Sequence, residues 1–161
     1  MLDIRWEPVD KKLIGEGNLK FPRFYRQKIS GDIVFFIYKT RAAFLKPLKG
    51  GYELDSVYSD FCECTEDEQW QPIDVVLSNT SLTFGQEVVE VNGLAGIVVS
   101  SHMDLGNHKI LSGYKLLVLT PESSRGVGIF SGFDHRDTWT YVKISISHTT
   151  GISIVGYQEK P

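Results

Sequence analysis

The sequence predicts a mainly β protein, an antiparallel β-barrel or β-sandwich with one or two short helices. Two observations favour this fold class. Fifteen glycines are scattered between runs of β-branched and aromatic residues, a pattern typical of short strands joined by tight turns. The chain also lacks strands that alternate with helical segments of 10 to 15 residues, which a parallel, doubly wound sheet requires.

One domain over residues 1–161 is the expected organisation. A chain of 161 residues with 42% apolar and 23% charged residues has the size and composition of one globular domain with a core. Its apolar runs are much shorter than the roughly 20 residues of a membrane helix, and its amino terminus lacks the pattern of a secretory signal. We therefore expect a cytoplasmic protein that does not enter a membrane.

The first half of the chain predicts a central strand and both helices. Residues 33–38 (IVFFIY) are all apolar or aromatic, so both faces of a strand here would be apolar. This pattern predicts a strand buried on both faces. Residues 40–46, which end before Pro47, predict one short helix. Thr65, with Glu68 three positions later, has the spacing of a capping box and predicts another helical turn.

The second half predicts two hairpins and a further strand. Asn92-Gly93 joins residues 88–91 to 94–99 and favours a two-residue turn with positive φ at both positions. Gly96 indicates a bulge or close packing. Residues 84–99 resemble the opening hairpin of small SH3-like barrels, a resemblance that implies a barrel and no function. Residues 115–120 predict a strand that ends at Pro121.

The second predicted hairpin lies near the carboxyl end. Residues 140–147 alternate with the period of a strand, which predicts that Thr140, Val142, Ile144 and Ile146 face the core. Residues 148–151 supply the turn, and the chain returns through residues 152–155.

Charge is divided into blocks along the chain. Residues 1–50 contain eleven Lys and Arg against five Asp and Glu, whereas residues 51–108 contain eleven Asp and Glu and no Lys or Arg. Such asymmetry can signal a partner of opposite charge. Alternatively, the two blocks lie side by side and screen one another through surface ion pairs.

Carboxylates and aromatic side chains are interleaved in residues 52–70, which we call the acidic segment. Aromatic residues among charges are typical of interface hot spots, and toxin-neutralising immunity proteins and nucleic-acid mimics present acidic surfaces. The sequence therefore predicts a non-enzymatic protein-binding module, of the inhibitor, immunity or adaptor kind, that docks a basic partner. The predicted binding residues are Tyr52, Glu53, Asp55, Tyr58, Asp60, Glu63, Glu66, Asp67, Glu68 and Trp70.

Nucleic acid is not the expected partner. A basic and aromatic stretch, which includes Arg23, Phe24, Tyr25, Arg26 and Lys28, is the candidate for contacts with phosphates and bases. However, the isoelectric point near 5.8 is low for a dedicated nucleic-acid-binding domain.

The alternative function is a small hydrolase or metal-dependent enzyme. His102, Asp104, His108 and His135 are the candidate catalytic residues, because histidine is the usual general base and a common metal ligand. Their spacing matches no metal-site signature, and the two cysteines, separated by one residue, do not have the spacing of zinc ligands. We therefore predict no metal and no cofactor. Trp6, Trp70 and Trp139 are expected to be core or half-buried packing residues, and Trp139, on a predicted strand, is the first of them to consider as part of a cleft.

Overall fold

The computed structural model describes residues 2–10, 12, 22–46, 57–59, 68–80, 87–106, 108–120, 126–133 and 135–159. These residues form one short 3-10 helix, Arg136–Thr138, and twelve strands, all of which pair in antiparallel fashion. The sheet curves into a nearly closed barrel, which confirms the predicted fold class. The strands are β1 (Leu2–Pro8), β2 (Arg23–Gln27), β3 (Ile33–Tyr38), β4 (Arg41–Lys46), β5 (Val57–Tyr58), β6 (Trp70–Asn79), β7 (Glu87–Val91), β8 (Leu94–Leu105), β9 (His108–Val118), β10 (Gly128–Phe130), β11 (Thr140–Ser147) and β12 (Gly151–Tyr157).

Two strands, β6 and β11, connect three parts of the sheet. They pair with each other and with β1 and β12, respectively. The first residues of β6 pair instead with β2, which leads through β3 and β4 to β5. The first residues of β11 pair instead with β7, which leads through β8 and β9 to β10. Each of the two strands therefore changes its neighbour part of the way along one edge.

We call these two places the β6 fork and the β11 fork. At the β6 fork, residues 70–72 pair with β2 and residues 75–77 pair with β11. At the β11 fork, residues 140–141 pair with β7 and residues 144–146 pair with β6. Between the two partners, no described residue pairs in register with that edge of the strand.

The main core lies inside the barrel and draws side chains from all three parts of the sheet. Phe24 and Phe35, whose ring centroids are 4.7 Å apart, pack in the same cluster as Leu77, Ile97 and Ile144. Each such fully buried side chain contributes roughly 1.5–3 kcal/mol through removal of apolar surface from water. This interior cluster explains why the alternate residues of these strands are apolar.

Two further clusters bury the opposite face of parts of the sheet. One contains Val98, Leu116 and the fully buried Trp139. The other contains Phe36 and Trp70, whose rings meet edge to face with centroids 5.2 Å apart. Trp139 thus belongs to the core, as expected for a large aromatic residue in a small β domain, and the alternative that it faces a cleft was wrong.

The predicted central strand and the Asn-Gly hairpin are confirmed. β3 has the predicted bounds and lies between β2 and β4. Asn92 and Gly93 have φ values of 50° and 81°, as a two-residue turn between β7 and β8 requires. A Cβ atom at Gly96 would overlap the backbone carbonyl oxygen of Leu117, so the close packing predicted there is also observed.

The helix predicted for residues 40–46 was wrong, because this segment forms β4. Ala42 and Ala43 are fully buried and pair with β3 on one side and β5 on the other. Tertiary pairing and burial therefore override the helix propensity of alanine, leucine and lysine. The helical turn predicted from Thr65 starts outside the described residues, and Glu68 lies in a turn that enters β6.

The predicted carboxyl-terminal hairpin is observed as β11 and β12, but one core residue was wrong. Thr140 is exposed, whereas Tyr141 and Val142 are both buried. Simple alternation fails here because β11 contacts two different clusters: Tyr141 packs with Trp139, and Val142 packs inside the barrel. The strand predicted over residues 115–120 ends two residues earlier, at the end of β9.

Candidate functional site

A cleft of about 320 Å³ opens at the β6 fork. Arg23 at the start of β2, Asp74 in β6 and His148 in the turn after β11 all line it. The register places these residues together: continued past their last pairs, by two residues for β2 and by one for β11, the two strands would place Arg23 and Ser147 opposite Asp74. We call this space the fork cleft.

Asp74 fixes the position of His148 through two hydrogen bonds. The backbone N–H of His148 donates to Asp74 Oδ1 at 2.9 Å, and the ring Nδ1 lies 2.7 Å from Asp74 Oδ2. Because a carboxylate only accepts hydrogen bonds, Nδ1 carries the proton in this contact. The second ring nitrogen, Nε2, then remains for other interactions.

The turn that carries His148 is built by local polar contacts. The hydroxyls of Ser147 and Thr149 are 2.9 Å apart, and the backbone N–H of Thr149 donates to Ser147 Oγ. Gly151 ends the turn with a φ of 77°, in the left-handed region that favours glycine. Ser147 is thus engaged with the turn itself, and no hydrogen bond joins it to His148 as a nucleophile would require.

Arg23 is a buried cation with little internal compensation. The residue is 7% exposed, its Nε has no hydrogen-bond partner among the described residues, and its Nη2 lies 4.0 Å from Asp74 Oδ1. Burial lowers the pKa of Arg23, while Tyr25 and Asp74 act in the opposite direction. A buried guanidinium nitrogen without a hydrogen bond is costly, so the fork cleft favours an anionic group beside Arg23.

These three residues were not predicted as one site, because Asp74 and His148 are 74 positions apart. Arg23 entered only as part of the basic, aromatic stretch considered for nucleic acid. Phe24 and Tyr25 in that stretch are fully buried, so they are not available to stack on bases. No motif in the sequence connects Arg23, Asp74 and His148.

Three predicted residues of the acidic segment lie in the described part of the chain. Tyr58 is half-buried in β5, the last strand on that side of the sheet, and Glu68 is exposed. Trp70 is only 5% exposed and packs in the core, so its ring is not available to a partner, contrary to the prediction. Outside the described residues lie Tyr52, Glu53, Asp55, Asp60, Glu63, Glu66 and Asp67.

The four predicted catalytic residues are not all brought together. His102 and Asp104 belong to β8, and His108 begins β9, close to the turn that joins these two strands. The structure describes the backbone of these three residues but not their side chains. His135 lines a separate pocket with Asn92 and Leu94, at the opposite end of β8. His102 is eight residues along β8 from Leu94, roughly 25 Å at the usual rise of a strand. A site of His102, Asp104 and His108 alone stays a prediction.

A second charged cluster joins β7 to the 3-10 helix. Arg136 Nη2 lies 3.2 Å from Glu87 Oε1 and 3.4 Å from the hydroxyl of Tyr141, and its Cζ is 5.5 Å from the centroid of the Trp139 ring. Burial raises the pKa of Glu87 despite the opposing charge of Arg136. The cluster holds this helix against the outer face of the sheet.

Comparisons with known proteins add no further assignment. No family model, curated protein or solved structure matches the chain. Within the described residues, no helix has the length and apolar character needed to cross a membrane. The same residues contain no group of three or more metal-ligating side chains.

Proposed function

We propose that the protein is a non-enzymatic binding module that docks a basic protein partner through the acidic segment. The observation that carries this proposal is the distribution of charge. Seven carboxylates fall between residues 53 and 68, in a stretch from residue 51 to residue 108 that contains no Lys or Arg. A surface of this charge would accelerate association with a positively charged partner.

Attachment of the acidic segment to the rigid sheet supports the proposal. Within the segment, β5 pairs with β4, and β6 begins at Trp70 and pairs with β2. The half-buried Tyr58 packs against the same cluster that contains Trp70. A binding segment held at two points by packed strands loses less conformational entropy on docking than a free tail does.

Two of the carboxylates that follow the acidic segment have other roles, which leaves more of the proposed docking charge within it. Asp74 is engaged by His148, and Glu87 is 3% exposed and paired with Arg136. Glu68, in contrast, is exposed in the turn before β6. Charged side chains beside the short edge strand β5 would also oppose strand addition, so we expect recognition through side-chain charge.

The test is a charge reversal compared with a matched control. The full chain captures partners from an extract of its source cells, and the captured protein is purified for kinetic measurements. Glu66→Lys, Asp67→Lys and Glu68→Lys together should slow association with that protein by about tenfold at low salt and flatten its salt dependence. The control combines Glu7→Lys, Glu90→Lys and Glu159→Lys, which change the net charge equally on other strands and near the carboxyl end.

The proposal requires the first triple variant to bind more slowly than the control while its thermal unfolding stays the same. Equal association rates for the two variants would show that net charge, and not the acidic segment, controls binding. A captured partner that carries no basic surface would also contradict the proposal.

A further inference from the structure

We propose that the fork cleft binds a small organic molecule that carries a carboxylate group and an apolar body. The fork cleft is centred on a cation, Arg23, and lies in a different part of the molecule from the acidic segment. The proposal therefore does not depend on the proposed function. It is based on the contacts of Arg23, on the two hydrogen bonds that Asp74 accepts from His148, and on the side chains that line the cleft.

Arg23 supplies the group that recognises the carboxylate. Its guanidinium could donate five hydrogen bonds, yet no hydrogen bond of this side chain is made within the described part of the chain, and Nε is buried without a partner. Guanidinium and carboxylate form strong, often bidentate charge-assisted hydrogen bonds. A carboxylate in the cleft would therefore compensate a cation that the fold leaves largely uncompensated.

Asp74 cannot take this role in the observed geometry. Its Oδ1 accepts the backbone N–H of His148 and its Oδ2 accepts the ring Nδ1, at 2.9 and 2.7 Å. The separation of 4.0 Å between Arg23 Nη2 and Asp74 Oδ1 is an ion pair without a hydrogen bond. Asp74 instead positions the His148 ring on the cleft wall, where Nε2 is a second polar group for a ligand.

The remaining lining favours an organic acid over an inorganic anion. The half-buried Ile152 supplies apolar surface, with small edges of the buried Ile73 and Ile146 behind it. Thr149 and Thr150 supply hydroxyl groups near the exposed turn. The volume of about 320 Å³ falls at the lower end of the range for small-molecule sites. A phosphate ion would leave most of this apolar surface uncovered, whereas a short aliphatic or aromatic acid would cover it.

The experiment uses hexanoate and benzoate as probes, with hexanamide and benzamide as neutral analogues of the same shape and inorganic phosphate as the alternative anion. Each is titrated into the full-length protein and followed by backbone amide chemical shifts. We expect saturable shifts of Asp74 and of residues 148–152 with the two acids. The amides and phosphate should bind at least about tenfold more weakly, because they lack the charged group or the apolar body.

Variants identify the group that holds the acid. Arg23→Met removes the cation but keeps a long side chain, and it should weaken acid binding by about tenfold or more. The matched control is Arg26→Met, on the same strand, where the guanidinium stacks 4.8 Å from the centroid of the Trp6 ring and is not part of the cleft. A third variant, Thr150→Trp, fills the cleft from an exposed turn position and should also abolish binding.

Several results would overturn the proposal: no saturable binding of either acid, equal binding of acids and amides, phosphate binding as tight as acid binding, or unchanged binding by Arg23→Met. If Arg23→Met fails to fold, Thr150→Trp decides, because unchanged acid binding by that variant excludes the cleft. None of these results involves residues 66–68, so the two proposals can fail separately.

Discussion

Two buried charged side chains, Glu87 and Arg23, differ in how the fold compensates them. Glu87 is 3% exposed and has a cation, Arg136, at 3.2 Å. Arg23 is 7% exposed, and its one charged contact among the described residues is the more distant one with Asp74. The Arg136 cation compensates the charge of Glu87 at Oε1, while Oε2 is buried without a hydrogen-bond partner among the described residues. For Arg23 we propose instead that the compensating group is a ligand bound in the fork cleft.

The raised pKa of Glu87 predicts a pH-dependent effect on stability. Burial makes the folded state hold the Glu87 proton more tightly than the unfolded state does. The protonated carboxyl therefore stabilises the fold fully below the pKa that Glu87 has in the unfolded state. This contribution is lost as the pH rises through the higher pKa that Glu87 has in the folded state. We expect the unfolding free energy of the wild type, relative to Glu87→Gln, to decrease between pH 4 and pH 7.

Urea unfolding of the wild type and of Glu87→Gln, measured at intervals of one pH unit, gives this difference in unfolding free energy. Glu90→Gln is the control, because Glu90 lies on the same strand but is only half-buried. A wild type that gains stability relative to Glu87→Gln over the same pH interval would show that the ion pair with Arg136, and not burial, dominates the pKa.

At the level of elements, the sequence predicted best where local chemistry decides the conformation. The Asn92-Gly93 turn and β3 follow from φ preferences and from apolar runs, which neighbouring strands do not change. β4 was mistaken for a helix because its pairing with β3 and β5 depends on residues distant in the sequence. The fork cleft was missed for the same reason, since the register of β2 and β11 on β6 cannot be inferred from any one segment.

Gly96 allows a sharp test of packing between β8 and β9. A Cβ at this position would overlap a backbone carbonyl oxygen of Leu117, which cannot move without displacing β9. Gly96→Ala should therefore destabilise the protein by about 3 kcal/mol, at the upper end of the range for overpacking. The midpoint of chemical denaturation measures this change.

Gly93→Ala is the comparison for Gly96→Ala, because Gly93 has a φ of +81° but a Cβ atom added there would meet nothing within 4 Å. Only backbone strain opposes alanine there, at a cost of about 1 kcal/mol. If Gly93→Ala is as destabilising as Gly96→Ala, close packing is not the reason for the glycine in β8.

At the scale of the whole molecule, the two forks differ in what lies between the strands that separate there. Strands that change neighbours leave backbone groups without partners. At the β11 fork, the side chain of Asn79 fills this gap between β6 and β7. Its Oδ1 accepts the backbone N–H of Val88 at 2.7 Å, and its Nδ2 donates to the Val88 carbonyl at 3.0 Å. The amide thus replaces a neighbouring strand, whereas the β6 fork stays open as the cleft.

Closure of the barrel at the β11 fork should depend on Asn79. Val88 is fully buried, so Asn79→Ala would leave its N–H without a hydrogen bond and should lower the unfolding free energy by roughly 1–3 kcal/mol. Gln158→Ala is the control: Gln158 bonds to Asn79 but is half-buried, and water can replace it. Urea unfolding should show the larger loss for Asn79→Ala, and amide hydrogen exchange should accelerate first at Val88. If both substitutions cost the same, the bonds between Asn79 and Gln158, and not the bridge from β6 to β7, hold this end of the barrel closed.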